Sequence, residues 1–129
     1  MRVFTFMPRF WNKIRAREKR QTCRKRALCT PGDELSLRGW SGRPYMTKQV
    51  ALLQPVICER VEPVRIQLLD GGKAMLIVVN GLELRDAGQL CFARADGFSS
   101  RDDMTSFFAE RYPRMVKRAE TFEGEVVYW

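Results

Sequence analysis

Val64-Arg65-Ile66-Gln67-Leu68, the turn Asp70-Gly71-Gly72, the run Ala74-Met75-Leu76-Ile77-Val78-Val79 and the pair Asn80-Gly81 decide the fold class. Val64 to Leu68 alternates apolar and polar residues, the period of a half-buried strand whose successive side chains point to opposite faces. Ala74 to Val79 is apolar throughout and reads as a buried strand. It falls far short of the ~20 residues that a membrane-spanning helix needs. Asp70-Gly71-Gly72 separates the two as a hairpin, and Asn80-Gly81 makes a second tight turn because both residue types tolerate positive φ. Three strands and two turns make a meander.

Working outward from it, Val50 to Leu69 is rich in Val, Ile and Leu but broken by Pro55 and Pro63. That predicts edge strands or a bend rather than one long central strand, because proline cannot donate to a sheet ladder. Thr30-Pro31-Gly32-Asp33 is turn chemistry, and Glu34-Leu35-Ser36-Leu37-Arg38 alternates as a strand does. Nearer the amino terminus, Phe4 to Phe6 reads as a short strand. Pro8 suits the first turn of a helix, and Met7, Phe10, Trp11 and Ile14 recur at helical spacing, predicting a helix that ends near Lys19. After the meander, Leu84, Ala87, Leu90, Cys91 and Ala95 predict a helix with that face inward, stopped at Gly97. Ser100-Arg101-Asp102-Asp103 resembles a capping box that opens a helix through Met104, Phe107, Phe108 and Arg111-Tyr112 to Pro113. Arg114 to Glu120 reads as a charged connector and Thr121 to Trp129 as a final strand. This order predicts one α+β domain over 1–129, built on a curved mixed sheet or small β-barrel flanked by helices.

With 45% apolar and 29% charged residues in 129, the composition is that of an ordinary globular chain long enough to close one core. Pro8 and Arg9 interrupt the amino-terminal apolar residues before a signal-peptide core forms, so the expected location is the cytoplasm and no membrane partner is expected. Cys23, Cys29, Cys58 and Cys91 lie at wide, irregular spacings that fit neither a zinc site nor a redox pair, and reduced thiols, some buried, are expected. No metal or other cofactor is indicated. Histidine is absent. That excludes Ser-His-Asp and Cys-His mechanisms and leaves Lys, Asp, Glu, Thr, Ser, Cys and Tyr for any chemistry.

The net charge of +8 is concentrated: residues 1 to 26 hold ten Lys/Arg against the single acid Glu18, and the remainder is nearly balanced. Such asymmetry points to a polyanionic partner, with nucleic acid favoured over membrane because no strongly apolar amphipathic face accompanies it. A solvated basic helix is the bland alternative. Arg9, Lys13, Arg17 and Arg20 fall on one stripe of the predicted helix, and Arg24, Lys25 and Arg26 follow it. In Gly39-Trp40-Ser41-Gly42-Arg43-Pro44-Tyr45, a loop, Trp40 and Tyr45 flank Arg43. An exposed base can stack on such a set, although the two rings serve equally as core or loop anchors.

Lys19-Arg20-Gln21-Thr22-Cys23-Arg24 places a lysine three residues before a threonine and an arginine two after it. Together with Phe6-Met7-Pro8-Arg9-Phe10, Pro31-Gly32-Asp33, Ala93-Arg94-Ala95-Asp96-Gly97-Phe98, Phe107-Phe108 and Phe122-Glu123-Gly124 running to Trp129, it resembles the ASCH family of the PUA-like superfamily, in its short bacterial and phage form. No one piece is specific; their order and spacing are. The resemblance implies a small β-barrel with flanking helices and a cleft for RNA, a nucleotide or a modified nucleoside. Some small ASCH proteins hydrolyse N4-acetylcytidine through a lysine, a threonine and a distant acid, and Lys19 and Thr22 match the first two. Asp96 falls where that hydrolase has glutamate, one methylene shorter, and Cys23 replaces a branched apolar residue.

Two functions therefore stand open. One is a binding module with Lys19, Arg24 and the basic helix on phosphates and Trp40 or Tyr45 on a base. The other is an amidohydrolase with Thr22 as nucleophile, Lys19 as base and Asp96 as assisting acid, the lysine pKa lowered by its cationic neighbours and by burial. Lys19 as a solvated helix end, Thr22 as a plain strand residue and Asp96 as a turn residue are the structural alternatives. A metal-dependent nuclease is disfavoured, since no pair of carboxylates has recognisable spacing.

Overall fold

A computed structural model describes residues 1–129. In chain order the elements are β1 (Arg2–Thr5), α1 (Trp11–Arg15), β2 (Gln21–Arg24), β3 (Glu34–Trp40), β4 (Gln49–Ala51), β5 (Val56–Ile57), β6 (Arg60–Leu69), β7 (Ala74–Val79), β8 (Leu82–Glu83), α2 (Asp86–Ala95), α3 (Arg101–Arg111), α4 (Arg114–Lys117) and β9 (Phe122–Tyr128). The fold is α+β. Its strands divide between a five-stranded antiparallel sheet in the order β2-β9-β6-β7-β8 and a smaller mixed sheet in which β3 pairs with β1, β4 and β5. No ladder joins the two into a closed barrel.

The meander forms as its turns dictate. Asn80 and Gly81 both take positive φ, the geometry of a two-residue hairpin turn, and Val79 pairs with Leu82 across it. Asp70, Gly71 and Gly72 are likewise left-handed and return the chain from β6 to β7. Pro63 is the exception to expectation. It lies inside the ten-residue β6, which is central in its sheet, between β9 and β7. The Pro63 carbonyl accepts from the Asn80 amide, and its missing donor points to the same side, where β7 ends in the turn, so the proline gives up at most the reciprocal bond of the last β6–β7 rung.

The inner face of this sheet contributes Val64, Ile66, Ile77 and Val126, which meet Met104 and Phe108 of α3 and Met115 of α4. The segment expected to be a mere connector thus contains α4, whose Met115 closes the end of the core. The face of α2 also differs from the expected one. Ala87 and Cys91 are exposed, and the buried positions are Gln89, Phe92 and Ala93, followed by Asp96 just past the helix end. Gln89 takes an interior place because its Nε2 donates to the Met75 carbonyl at 2.9 Å, so a polar side chain satisfies a sheet carbonyl. Ser100 caps α3 by accepting from the Asp103 amide at 3.0 Å. No helix is long and apolar enough to cross a membrane.

Candidate functional site

Two helix ends build the centre of the site. The helix α1 stops at Ala16, earlier than its periodicity suggests, because Arg17 takes φ +61°. The Arg17 amide then donates to Ile14 O and the Glu18 amide to Lys13 O, the double bond of a Schellman turn. The helix α2 ends the same way: Gly97 has φ +97°, with Gly97 N donating to Arg94 O and Phe98 N to Ala93 O. Arg20 N donates to Ala95 O at 2.8 Å, docking one turn on the other. The two candidate charged residues are thereby brought face to face.

The Lys19 Nζ donates to Asp96 Oδ1 at 3.0 Å, to the Asp96 carbonyl, and to Gln21 O at 2.8 Å. Both side chains are almost fully enclosed, at 3% and 5% exposure. Burial pushes the Lys19 amine below its ordinary value while Asp96 pulls it up. Burial likewise pushes the Asp96 carboxyl above its ordinary value while Lys19 opposes the change. Both shifts favour uncharged forms, so the ion pair is held at an energetic cost that its hydrogen bonds offset. The rings of Phe10 and Phe6 lie 4.8 and 5.5 Å from the Lys19 Nζ, and the Lys19 stem packs on Gly97, where a Cβ would fall 2.9 Å from Lys19 Cδ.

Thr22 is buried in β2 but is bonded to neither partner of the pair; its hydroxyl accepts from Arg24 Nε at 3.3 Å. Arg24 is fixed further by Nη2 donating to Thr5 O at 2.9 Å and by the rings of Phe4 and Phe6, 5.0 and 4.9 Å away. Burial lowers its pKa, with Asp96 acting in the opposite sense. The half-buried Cys23 thiol is driven well up by burial and by the neighbouring Asp96 carboxylate, which makes it a poor nucleophile.

These groups line one cavity of about 560 Å³. Its walls come from the end of β1 (Thr5 to Pro8), from Lys19 and β2, from the β3–β4 loop, from Asp96 and Phe98, and from α3. Trp40 and Tyr45 stand at the mouth with ring centroids 5.0 Å apart, and Tyr45 is 86% exposed. Comparison with protein-family models, curated proteins and solved structures gave no match. The remaining expected residues separate into two groups. Arg9 is bound to Asp103 at 2.8 Å, and Lys13 donates to Gly97 O at 3.0 Å, so both are occupied holding α1 and the turn before it against the α2–α3 region. Arg17, Arg20, Lys25, Arg26 and Arg43 are exposed, lie outside the cavity lining and join none of the ion pairs.

Sequence reasoning missed the α3 contribution. Phe107, Phe108, Arg111 and Tyr112 all line the cavity, although they read as the apolar face and end of a helix. Their one signal is spacing: Arg111 follows Phe107, and Tyr112 follows Phe108, by one helical turn. No three His, Cys, Asp or Glu side chains are grouped to hold a metal ion. All four cysteines are free. Cys29 and Cys58 are neighbours, and burial together with the Cys58 thiol pushes Cys29 up to about 11.

Proposed function

We propose that the chain is an ASCH-type module of the PUA-like superfamily whose cavity receives one base of a single-stranded RNA, or a nucleotide or modified nucleoside. The observation that carries this reading is the cavity itself. It is of ligand size and is lined mostly by apolar and aromatic side chains, with a few fixed polar groups and, at its mouth, the exposed Tyr45 against the half-buried Trp40. Aromatic faces accept any base by stacking, and a few hydrogen-bonding groups then orient it. The exposed cations Arg17, Arg20, Lys25 and Arg26 lie outside the lining and supply a field for the phosphates of a longer strand.

Titrating a fluorescein-labelled single-stranded oligoribonucleotide and following its anisotropy tests the reading. Binding is expected, with affinity falling steeply between 50 and 200 mM salt (roughly 300-fold for six phosphate contacts on a single strand). Tyr45→Ala should weaken it, by about 1–3 kcal/mol if a base stacks there. Absence of binding by RNA, nucleotides and nucleosides at low salt, or binding indifferent to both salt and Tyr45, would sink it.

The contact between Lys19 and Asp96, in a cavity that Thr22 also lines, favours a second reading, amide hydrolysis. There the Thr22 Oγ would attack an amide carbon as Lys19 takes its proton; the C–N bond breaks as that proton passes to the leaving amine, and water then releases the acid from the acyl-threonine. It ranks second because the three bonds from Lys19 use every proton of an ammonium, and the Thr22 hydroxyl faces Arg24 rather than the amine. Lys19 must first lose a proton and release a bond. Acetate release from N4-acetylcytidine, abolished by Thr22→Ala, would establish hydrolysis. No release by the wild type ends this reading.

A further inference from the structure

Charge around the cavity does not balance. Its lining holds three cations, Lys19, Arg24 and Arg111, and one carboxylate, Asp96. Lys19 and Asp96 pair at 3.0 Å; Asp96 also favours the Arg24 charge through space, but no carboxylate bonds Arg24 or Arg111, so the lining keeps a net charge of two cations. Six other arginines, Arg9, Arg60, Arg65, Arg85, Arg101 and Arg114, each meet a carboxylate, whereas Arg17, Arg20, Arg26 and Arg43 meet none but stand exposed to solvent outside the cavity.

The Arg24 guanidinium is the more telling of the two. It is half-buried among Phe4, Phe6 and the end of β1, where an uncompensated charge is costly. Its Nε donates to the Thr22 hydroxyl and its Nη2 to the Thr5 carbonyl, so only neutral acceptors hold it. A guanidinium has five N–H donors, and the rest find no protein partner. Gln21 Nε2 is nevertheless the one buried side-chain polar atom without a bond, so the unbonded Arg24 nitrogen, Nη1, is not sealed in the core. Arg111 is exposed at the last residue of α3, and its Cζ lies 5.6 Å from the Tyr112 ring. The Lys25 Nζ lies 5.3 Å from that same ring. The tyrosine is thus a platform ringed by cations at the side of the cavity opened by α3.

We propose that the ligand of this cavity is phosphorylated, and that Arg24 in the wall and Arg111 at the rim take its phosphate. This rests on the reading of the cavity as a base-binding site and narrows it from nucleosides to nucleotides. Arg24 is held by its bonds to Thr22 and Thr5, so the wall contact is preorganised, whereas Arg111 is free to swing onto the anion. Planar guanidinium forks match phosphate oxygens in a way an ammonium does not. The neutralised Lys19–Asp96 pair below them leaves the cavity polar at its floor without repelling the phosphate.

The experiment measures, by calorimetry, binding of the four ribonucleosides, their 5′-monophosphates, a dinucleoside monophosphate and inorganic phosphate to the wild type and to Arg111→Gln. Arg111 is exposed and unpaired, so the variant is expected to melt with the wild type. The expected result is that at least one monophosphate or the dinucleotide binds about ten-fold or more tighter than its nucleoside, as charge-assisted bonds require, and that Arg111→Gln removes most of that gain while leaving nucleoside binding unchanged. Preference for the monophosphate would identify a free nucleotide, and equal binding of the dinucleotide a strand backbone; both support the inference. Nucleosides binding as tightly as nucleotides, or Arg111→Gln weakening both equally, overturns the phosphate inference and leaves base binding intact. Inorganic phosphate binding that depends on Arg111, with no gain from any base, would leave the anion site standing and overturn the base-binding reading.

Discussion

Removing either half of the buried Lys19–Asp96 pair should destabilise the fold with opposite dependence on pH. Stranding one charge of a buried pair costs about 3–5 kcal/mol, and both side chains here are almost fully enclosed. With a urea m value of about 2 kcal/mol/M for a chain of this size, the midpoint of unfolding should fall by roughly 1.5–2.5 M. In Lys19→Met the Asp96 carboxylate loses the partner that held its pKa down, so burial raises it further. A carboxyl whose folded pKa exceeds its unfolded one makes the folded state bind the extra proton. Stability is then greatest below the ordinary carboxylate pKa and falls as pH rises to the folded value, by up to about 1.4 kcal/mol per pH unit. In Asp96→Asn the Lys19 ammonium is stranded and its pKa falls further. A lysine with a depressed folded pKa sheds its proton on folding, so that variant gains stability as pH rises from the folded value toward the ordinary lysine range. The double variant should recover part of the loss and show neither slope, since replacing a whole buried pair is often close to neutral. Urea unfolding followed by tryptophan fluorescence at pH 5, 7 and 9 measures all four proteins. If each single variant loses under about 1 kcal/mol, or both slope the same way with pH, the pair is hydrated and the reasoning from burial fails.

Gly97→Ala should be costly for two reasons: φ is +97°, and the new Cβ would sit 2.9 Å from both Lys19 Cδ and Phe10 Cδ1. A fall in melting temperature equivalent to roughly 2 kcal/mol or more is expected, and an unchanged melt would refute the packing. Arg17→Gly should act in the opposite sense, stabilising by about 1 kcal/mol in thermal unfolding, because a non-glycine residue holds the left-handed corner after α1. Asp103 bears on acid stability. Burial pushes its carboxyl up, but the Ser99 amide and Arg9 outweigh this and hold it below its ordinary value. A depressed folded pKa contributes stability above the ordinary carboxylate value that is lost as pH falls through the folded one. Asp103→Asn should therefore flatten the decline in urea midpoint between pH 5 and pH 2, and an unaltered decline would place the acid sensitivity elsewhere.

Much of the architecture was legible because it is local. Asn80-Gly81 admits positive φ at both residues, and only a hairpin turn uses that; the alternation of Val64 to Leu68 and the apolar run before Asn80 then had one arrangement. Gly97 and Ser100 likewise mark helix ends by their own backbone and hydroxyl. Pro63 misled because its harmlessness depends on where β7 stops, which is a property of the pairing and not of proline. The face of α2 misled because Gln89 is buried by a bond to Met75, a partner on another element, while Ala87 and Cys91 are small enough to stay exposed at little cost.

The candidate site divides in the same way. The sequence alone determined which side chains were available: a chain without histidine, basic over its first 26 residues, with Lys19, Thr22, Arg24 and Asp96 grouped as candidates by what the family resemblance implies. Tertiary structure decided which of them act as a unit. Two left-handed corners, at Arg17 and Gly97, are joined by the Arg20–Ala95 bond, and that junction sets Lys19 against Asp96 while turning the Thr22 hydroxyl to Arg24. It also decided that Arg9 and Lys13 are spent on structure, and that Arg111, from the far end of the chain, faces the cavity. Spacing along a chain fixes neighbours only within one element; the balance of charge in a cavity depends on which elements meet there, and packing of the core settles that.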